Sequence, residues 1–261
     1  MRLDKYKVND FSRSKMQQLI KENKVLVNGK VVSKASYEVN ENDVVTLLLD
    51  EYNFPSRAGY KLLKAIKEFN LDFKDKIILD VGASTGGFTS CSLYFGAKQV
   101  YSVDVGDSQL VESLKQDKRV KSIENMNILD LKSSDVDDNK FDYIVIDVSF
   151  VSLESIMPCL KKFLKDDGLI VALIKPQFET LKYQTKNHII KDPTIHKIIL
   201  RDVITNLDNI GYSLLKLDYS PIKGSKGNIE FIALLTPIKT NVEIDIKGIV
   251  DNAHRELKKE D

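Results

Sequence analysis

The chain has 261 residues, 43% hydrophobic and 30% charged, which supplies one sizeable core with a small satellite module and excludes a disordered or fibrous protein. Its 39 basic and 38 acidic residues leave a net charge of +1, so any attraction for a polyanion has to come from local clustering. The opening Met1-Arg2-Leu3-Asp4-Lys5 is followed by no apolar core, and no apolar stretch approaches the ~20 residues that span a bilayer, so neither a secretory signal nor an anchor is expected and a cytoplasmic location is.

The first 34 residues carry nine Lys or Arg against three acids, which marks a candidate polyanion-binding surface. Ser12 is placed to cap a helix whose apolar Met16, Leu19 and Ile20 share one stripe. Arg13, Lys15 and Lys21 fall largely outside that stripe, free to reach phosphates. Val25 to Val32 reads as two β-rich runs joined by Asn28-Gly29, a pair that tolerates the positive φ of a type I′ hairpin turn, and another strand is expected over Val44 to Leu49. A charge run alone is more often a solvated helix face. The ordered combination of basic helix and hairpin instead favours a polyanion-binding surface, with Arg2, Lys5, Arg13, Lys15, Lys21 and Lys30 as candidates and Arg57 further on.

Pro55 and Gly59 break the pattern and put a boundary near residue 55, giving a module over 1–50, a linker over 51–60 and a second domain over 61–261. A helix is expected from Lys61 to Phe69. β-like runs at Ile77–Val81, Val100–Val103, Tyr143–Ile146 and Leu169–Ile174 alternate with helical stretches at 87–95, 153–165 and 194–210, and a strand follows over Ile229–Leu235. The alternation predicts an α/β, Rossmann-like domain with a largely parallel sheet and helices on both faces, preceded by a small α+β module.

The first of these strands ends in Asp80-Val81-Gly82-Ala83-Ser84-Thr85-Gly86-Gly87-Phe88, a small-residue loop that lets a ligand approach the backbone closely. A dinucleotide fingerprint needs G-x-G-x-x-G, whereas this loop is G-x-x-x-G-G with Ser84 at the second glycine position. Asp104 ends the next strand 22 residues after Gly82, where a carboxylate can accept both hydroxyls of an adenosine ribose. The pair points to S-adenosyl-L-methionine, which has a ribose and no pyrophosphate. The pocket is read as Asp80, Gly82, Ala83, Ser84, Gly86, Gly87, Phe88, Asp104, Val105, Asn127 and Asp147. A tight turn beside a surface Asp explains the loop alone, but explains loop and Asp104 together poorly.

The runs Ser56-Arg57-Ala58-Gly59-Tyr60-Lys61-Leu62, LDVGASTGGFT, VDVG, IDVSFVSL, LIKPQFE and SPIKGSKGNIEF, in this order, resemble the TlyA family of haemolysin A-like ribosomal RNA 2′-O-methyltransferases. The front end resembles the S-four type RNA-binding module. The resemblance implies ribosomal RNA or ribosomal subunits as partner, cytidine as the modified nucleotide, a monomer, and a catalytic set shared with FtsJ-like enzymes, here Lys61, Asp147, Lys175 and Glu230. Position agrees in part, since Asp147 and Lys175 each end an expected strand. Position alone equally allows Asp147 and Lys175 to be a structural ion pair and Lys61 and Glu230 to be surface charges. In the implied chemistry Lys175 takes a ribose hydroxyl proton, Lys61 crowds it with like charge, and the two carboxylates fix both lysines.

Other functions fit less well. Amino-group methylation calls for Pro-Pro-aromatic after the fourth strand, where this chain has Val148-Ser149-Phe150, and pyrimidine carbon methylation needs a nucleophilic Cys, whereas Cys91 and Cys159 fall inside expected helices. Neither cysteine has a CxxC partner, and His188, His196 and His254 are scattered, so no metal is expected. A membrane-active haemolysin lacks a spanning segment, and an RNA-binding protein without catalysis sits badly with the intact candidate residues. The run Thr185 to Pro193 departs from the glycine-rich stretch of the resembled family, and Ser108 stands where a glycine is common.

Overall fold

The computed structural model describes residues 1–6, 11–47, 52–180, 189–224 and 226–260. The N-terminal module consists of α1 (Arg13–Lys21), β1 (Val25–Val27), β2 (Lys30–Val31) and β3 (Val45–Leu47), with β1 in the middle of an antiparallel sheet. The Ser12 hydroxyl accepts from the Lys15 amide at 3.2 Å and so caps α1 as its sequence suggests. Asn28 and Gly29 adopt φ of 52° and 77°, turning the chain between β1 and β2. Among the described residues its core is seven buried apolar side chains, including Leu3, Met16, Ile20 and Val25. So small a core is marginal alone, and contacts with the rest of the chain add to it. The boundary expected at 50/51 and the end of the strand expected through Leu49 lie outside the described residues.

The second part contains α2 (Ala58–Phe69), β4 (Ile77–Val81), α3 (Gly87–Tyr94), β5 (Gln99–Val103), α4 (Glu112–Lys115), β6 (Val120–Ile123), β7 (Phe141–Ile146), α5 (Leu153–Leu160), β8 (Leu164–Ile174), α6 (Pro176–Glu179), α7 (Pro193–Asn209), β9 (Ser213–Tyr219), β10 (Phe231–Thr236) and α8 (Ile246–Glu256). α2 begins three residues before the expected Lys61. Gly59 weakens a helix little in its first turn, where its N–H has no intrahelical acceptor in any case, and a side chain there would collide with the buried Phe54 ring.

The sheet order is β6-β5-β4-β7-β8-β10-β9. β6, β5, β4, β7 and β8 are mutually parallel, and β10 runs antiparallel to both neighbours. Alternate side chains go to opposite faces. Leu79, Val81, Ile144 and Ile146 join α5, α7 and α8 in one core, while Ile78, Tyr143 and Val145 join α2, α3 and α4 in the other. Strand order reverses between β4 and β7, so a crevice opens beyond their C-terminal ends, the place where parallel sheets bind ligands. An all-parallel dinucleotide fold has no antiparallel strand inserted next to its fifth strand.

Candidate active site

The crevice is built from what each strand delivers on leaving the sheet. β4 and β7 pair Val81 with Ile146, and the Asp147 amide donates to the Val81 carbonyl at 3.0 Å. Gly82 must pass that carbonyl-rich edge with φ +85°, and a Cβ there would lie 2.7 Å from the Asp147 backbone oxygen. β8 ends at Ile174 and delivers Lys175. Because β10 is antiparallel with Phe231 opposite Ile174, Glu230 emerges at the same edge as Lys175. A parallel strand would have carried it to the far side. α2 brings Lys61 over this edge from its first turn.

The four side chains form one chain of contacts. Lys61 Nζ donates to Glu230 Oε2 at 2.7 Å and lies 3.6 Å from Asp147 Oδ2, while Lys175 Nζ contacts Asp147 Oδ1 at 2.7 Å and donates to Ser149 Oγ at 3.0 Å. These side chains are only 4–12% exposed, so their charges act through a weakly screening medium. Burial pulls the Lys61 pKa down, but Asp147 and Glu230 together more than offset it and hold it above the usual lysine value. Burial likewise pushes Asp147 up, and the two lysines override this to leave it below the carboxylate range. The two lysine nitrogens therefore do not face each other bare. A shared carboxylate lies between them.

A cavity of about 350 Å³ opens on this cluster, walled by Gly82, Ala83, Ser84 and Phe88 on one side and by the β9–β10 segment with Gly224, Lys226 and Asn228 on another. Ser12 and Ser14 of the N-terminal module and Arg57 complete it. Phe150, 83% exposed at φ +64°, and Phe178 present rings 4.8 Å apart at its wall. Sequence reasoning missed Ser149, Phe150, Phe178 and Lys226. The signals were present in a Ser and an aromatic directly after the strand-end Asp147, and in a lysine set between glycines.

The β4–α3 loop bonds four of its own amides within the protein. Gly82 N and Ala83 N donate to Val103 O, Gly86 N donates to Ala83 O, and Ser84 N donates to Asp104 Oδ2 at 2.8 Å. Those four amides are not free to cradle a pyrophosphate. Asp104, half-buried at the end of β5, also accepts from Gly106 N at 2.7 Å, and each oxygen keeps a lone pair for a ribose hydroxyl. Asp104, exposed Val105 and exposed Asn127 sit outside the cavity lining, and the Asn127 side chain caps a short turn by accepting from Leu129 N. Asp80 is fully buried, with Oδ2 accepting from the Thr89 hydroxyl at 2.6 Å and Oδ1 unpartnered, and burial raises its pKa to about 7. It ties the end of β4 to α3. Gly86 and Gly87 are buried at the start of α3 and are also absent from the lining.

One basic candidate needs correction. Lys15 is 3% exposed, donates to the Tyr60 hydroxyl at 2.9 Å and lies 4.6 Å over the Tyr60 ring, so it joins the module to α2 and does not face a phosphate. Lys5, Lys21 and Lys30 are exposed, and Arg57 is half-buried at the cavity. Arg2 and Arg13 are both bound to Asp4, whose carboxyl is held well below its usual range by Arg13 first and then Arg2 and Gln17, against the opposing effect of burial. His196 and His254, scattered in sequence, meet across α7 and α8 at 2.9 Å between Nδ1 and Nε2, and burial and then the His254 charge push His196 down to about 4. Among the described residues no three metal-ligating side chains cluster.

An α/β methyltransferase domain with an RNA-binding module in front of it is the class that this sheet and these motifs define. Residues 54–236 match the FtsJ-like methyltransferase family and residues 1–45 match the S4 domain. The chain belongs to the FtsJ-like methyltransferase family. It is 42% identical over 237 residues to Hemolysin A of Brachyspira hyodysenteriae, covering 89% of this chain and 98% of that one. It is 33% identical to the 16S/23S rRNA (cytidine-2′-O)-methyltransferase TlyA of Mycobacterium tuberculosis over 248 residues, covering 94% and 92%. The solved structure of a candidate hemolysin from Streptococcus thermophilus superposes with a TM-score of 0.81 at 39% identity, covering 100% of this chain and 98% of that one.

Gly82→Ala tests the crevice directly. An L-side chain at that φ costs about 1–3 kcal/mol, and its Cβ would push on the Asp147 backbone, so lower unfolding stability and weaker binding of S-adenosylmethionine by calorimetry are expected together. Wild-type values for both would mean that Gly82 is not under the steric constraint described.

Proposed function

We propose that the protein transfers the methyl group of S-adenosylmethionine to the 2′ hydroxyl of a ribose in ribosomal RNA. The observation that carries this is the continuous Glu230–Lys61–Asp147–Lys175 arrangement at the switch-point crevice. A ligand with a ribose and no phosphate suits Asp104 and a loop whose Gly82, Ala83, Ser84 and Gly86 amides are already bonded. Bound there, S-adenosylmethionine supplies an electrophilic methyl group on a sulfonium sulfur. Gly82, Ala83, Ser84 and Phe88 would hold it, with Asp104 at the ribose.

Lys61, kept charged by two carboxylates, cannot accept a proton and instead orients the acceptor ribose. Lys175 takes the hydroxyl proton, after giving up one of its own to solvent, as the oxygen–carbon bond forms and the methyl–sulfur bond breaks to leave the sulfur as a neutral thioether. Asp147 fixes both lysines at once, and much of the acceleration comes from that alignment. The exposed Phe150 ring beside Phe178 offers a stacking face for a nucleobase, which favours a nucleotide in a strand over a small-molecule acceptor.

Cytidine is the proposed nucleotide, following the names of the relatives. A cytoplasmic location, a monomer and ribosomal subunits as partner belong to the same proposal. Among the described residues no helix is long and apolar enough to cross a membrane. The protein incubated with 16S and 23S ribosomal RNA and methyl-labelled S-adenosylmethionine is expected to leave label on a ribose, giving an alkali-resistant dinucleotide. Label confined to bases, or none at all, would overturn the reading.

A further inference from the structure

The positive surplus of the N-terminal module contains one rigid element. The Asp4 side chain has no exposed area, whereas the two arginines bound to it keep 42% and 55% of theirs, for Arg2 and Arg13 respectively. Arg2 donates through Nε to Oδ1 at 3.0 Å and through Nη2 to Oδ2 at 3.2 Å. Arg13 donates to Oδ2 through Nε at 2.9 Å and Nη2 at 2.7 Å, and Gln17 adds a further donor, the fourth on that oxygen, at 3.0 Å. A guanidinium has five N–H donors in one plane, so each arginine keeps three for an outside acceptor. The carboxylate is itself anchored. Its own backbone amide donates to Ala35 O at 3.1 Å, and the adjacent Leu3 is buried against α1 in the module core.

A carboxylate on a polyanion-binding surface should repel its ligand, yet this one is buried and outnumbered by two guanidiniums. What it contributes is geometry, because a bound arginine has fewer rotamers to give up when it meets a phosphate. We propose that Asp4 is the positioning residue of a two-arginine phosphate site in which Arg2 and Arg13 are locked in fixed planes to receive the RNA backbone. The inference rests on the reading of the module as RNA-binding and names the part of it that grips.

The two ideas separate in one experiment, binding of the full chain to purified 16S and 23S ribosomal RNA across a salt series. Asp4→Asn removes a negative charge, so bulk electrostatics calls for tighter binding. The positioning role calls for the opposite. An amide has one acceptor oxygen and turns an NH2 towards a guanidinium, releasing one arginine, so affinity should fall about tenfold with a salt slope shallower by about one. Partial unfolding would lower affinity without that change in slope. Arg13→Lys leaves Asp4 and the total charge in place and guards against misfolding of the first variant. It should also lose about tenfold, because an ammonium group cannot hold Asp4 and a phosphate in one plane. Equal or tighter binding by folded Asp4→Asn, or wild-type affinity in Arg13→Lys, overturns the site. If the wild-type chain fails to bind either RNA, it is the RNA-binding reading itself that falls.

Discussion

Lys175→Ala is expected to lower the rate of methyl transfer to ribosomal RNA by about 10²- to 10⁴-fold, the range that a positioned general base contributes. The substitution removes the side chain that donates to Ser149 and contacts Asp147, and nothing else in the cluster can replace it. Lys61 is held in its charged form by Glu230 and Asp147, so its nitrogen has no lone pair to offer. Asp147 keeps Lys61 as its ion partner, so the fold should survive and binding of RNA and S-adenosylmethionine should change little. Single-turnover kinetics with excess enzyme separate the chemical step from binding. Lys175→Arg sharpens the test, because arginine keeps the charge and cannot be deprotonated in a protein. A wild-type single-turnover rate in either variant would remove Lys175 from the proton-transfer step.

The catalytic scaffold was largely legible in the sequence because its signals are local. The β4 run ends where apolar residues give way to Gly82, and the helix after it begins at Gly87, as its small residues suggest. Glu230 could be read as the head of a strand, but its place beside Lys175 depends on β10 being antiparallel, and strand direction leaves no mark on a single strand's pattern. β6, β9 and α8 gave weaker signals. β6 is a four-residue edge strand with two exposed positions, and α8 buries only Val250 and Ala253 fully, amid Asp, Asn and His. Without α8 the contact between His254 and His196 could not be foreseen. Lys15 shows the same limit within the module. One turn before Leu19, it borders the apolar stripe, and what draws it inward is Tyr60, 45 residues away.

Asp147→Asn should be the most destabilising of the conservative changes in the cluster, and its cost should depend on pH in a defined direction. The carboxylate contacts Lys61 at 3.6 Å and Lys175 at 2.7 Å, and an amide in its place leaves Lys61 with Glu230 alone and Lys175 with no carboxylate in contact. Breaking a buried pair on one side costs about 3–5 kcal/mol, because the surviving charge is stranded in a medium that does not solvate it. Urea unfolding at pH 7 should register a loss of that order. The folded pKa of Asp147 is lowered, so its contribution is fully present above the unfolded carboxylate value of about 4 and is lost as pH falls through the depressed folded value. The stability gap between wild type and Asp147→Asn should therefore be constant from neutrality down to about pH 4 and close below it. Methyl transfer should fall with the loss of alignment even where the variant remains folded, since both lysines take their position from this one side chain. A variant as stable as wild type at pH 7, or a gap that widens on acidification, would mean that the carboxylate is not the ionised bridge between the two lysines.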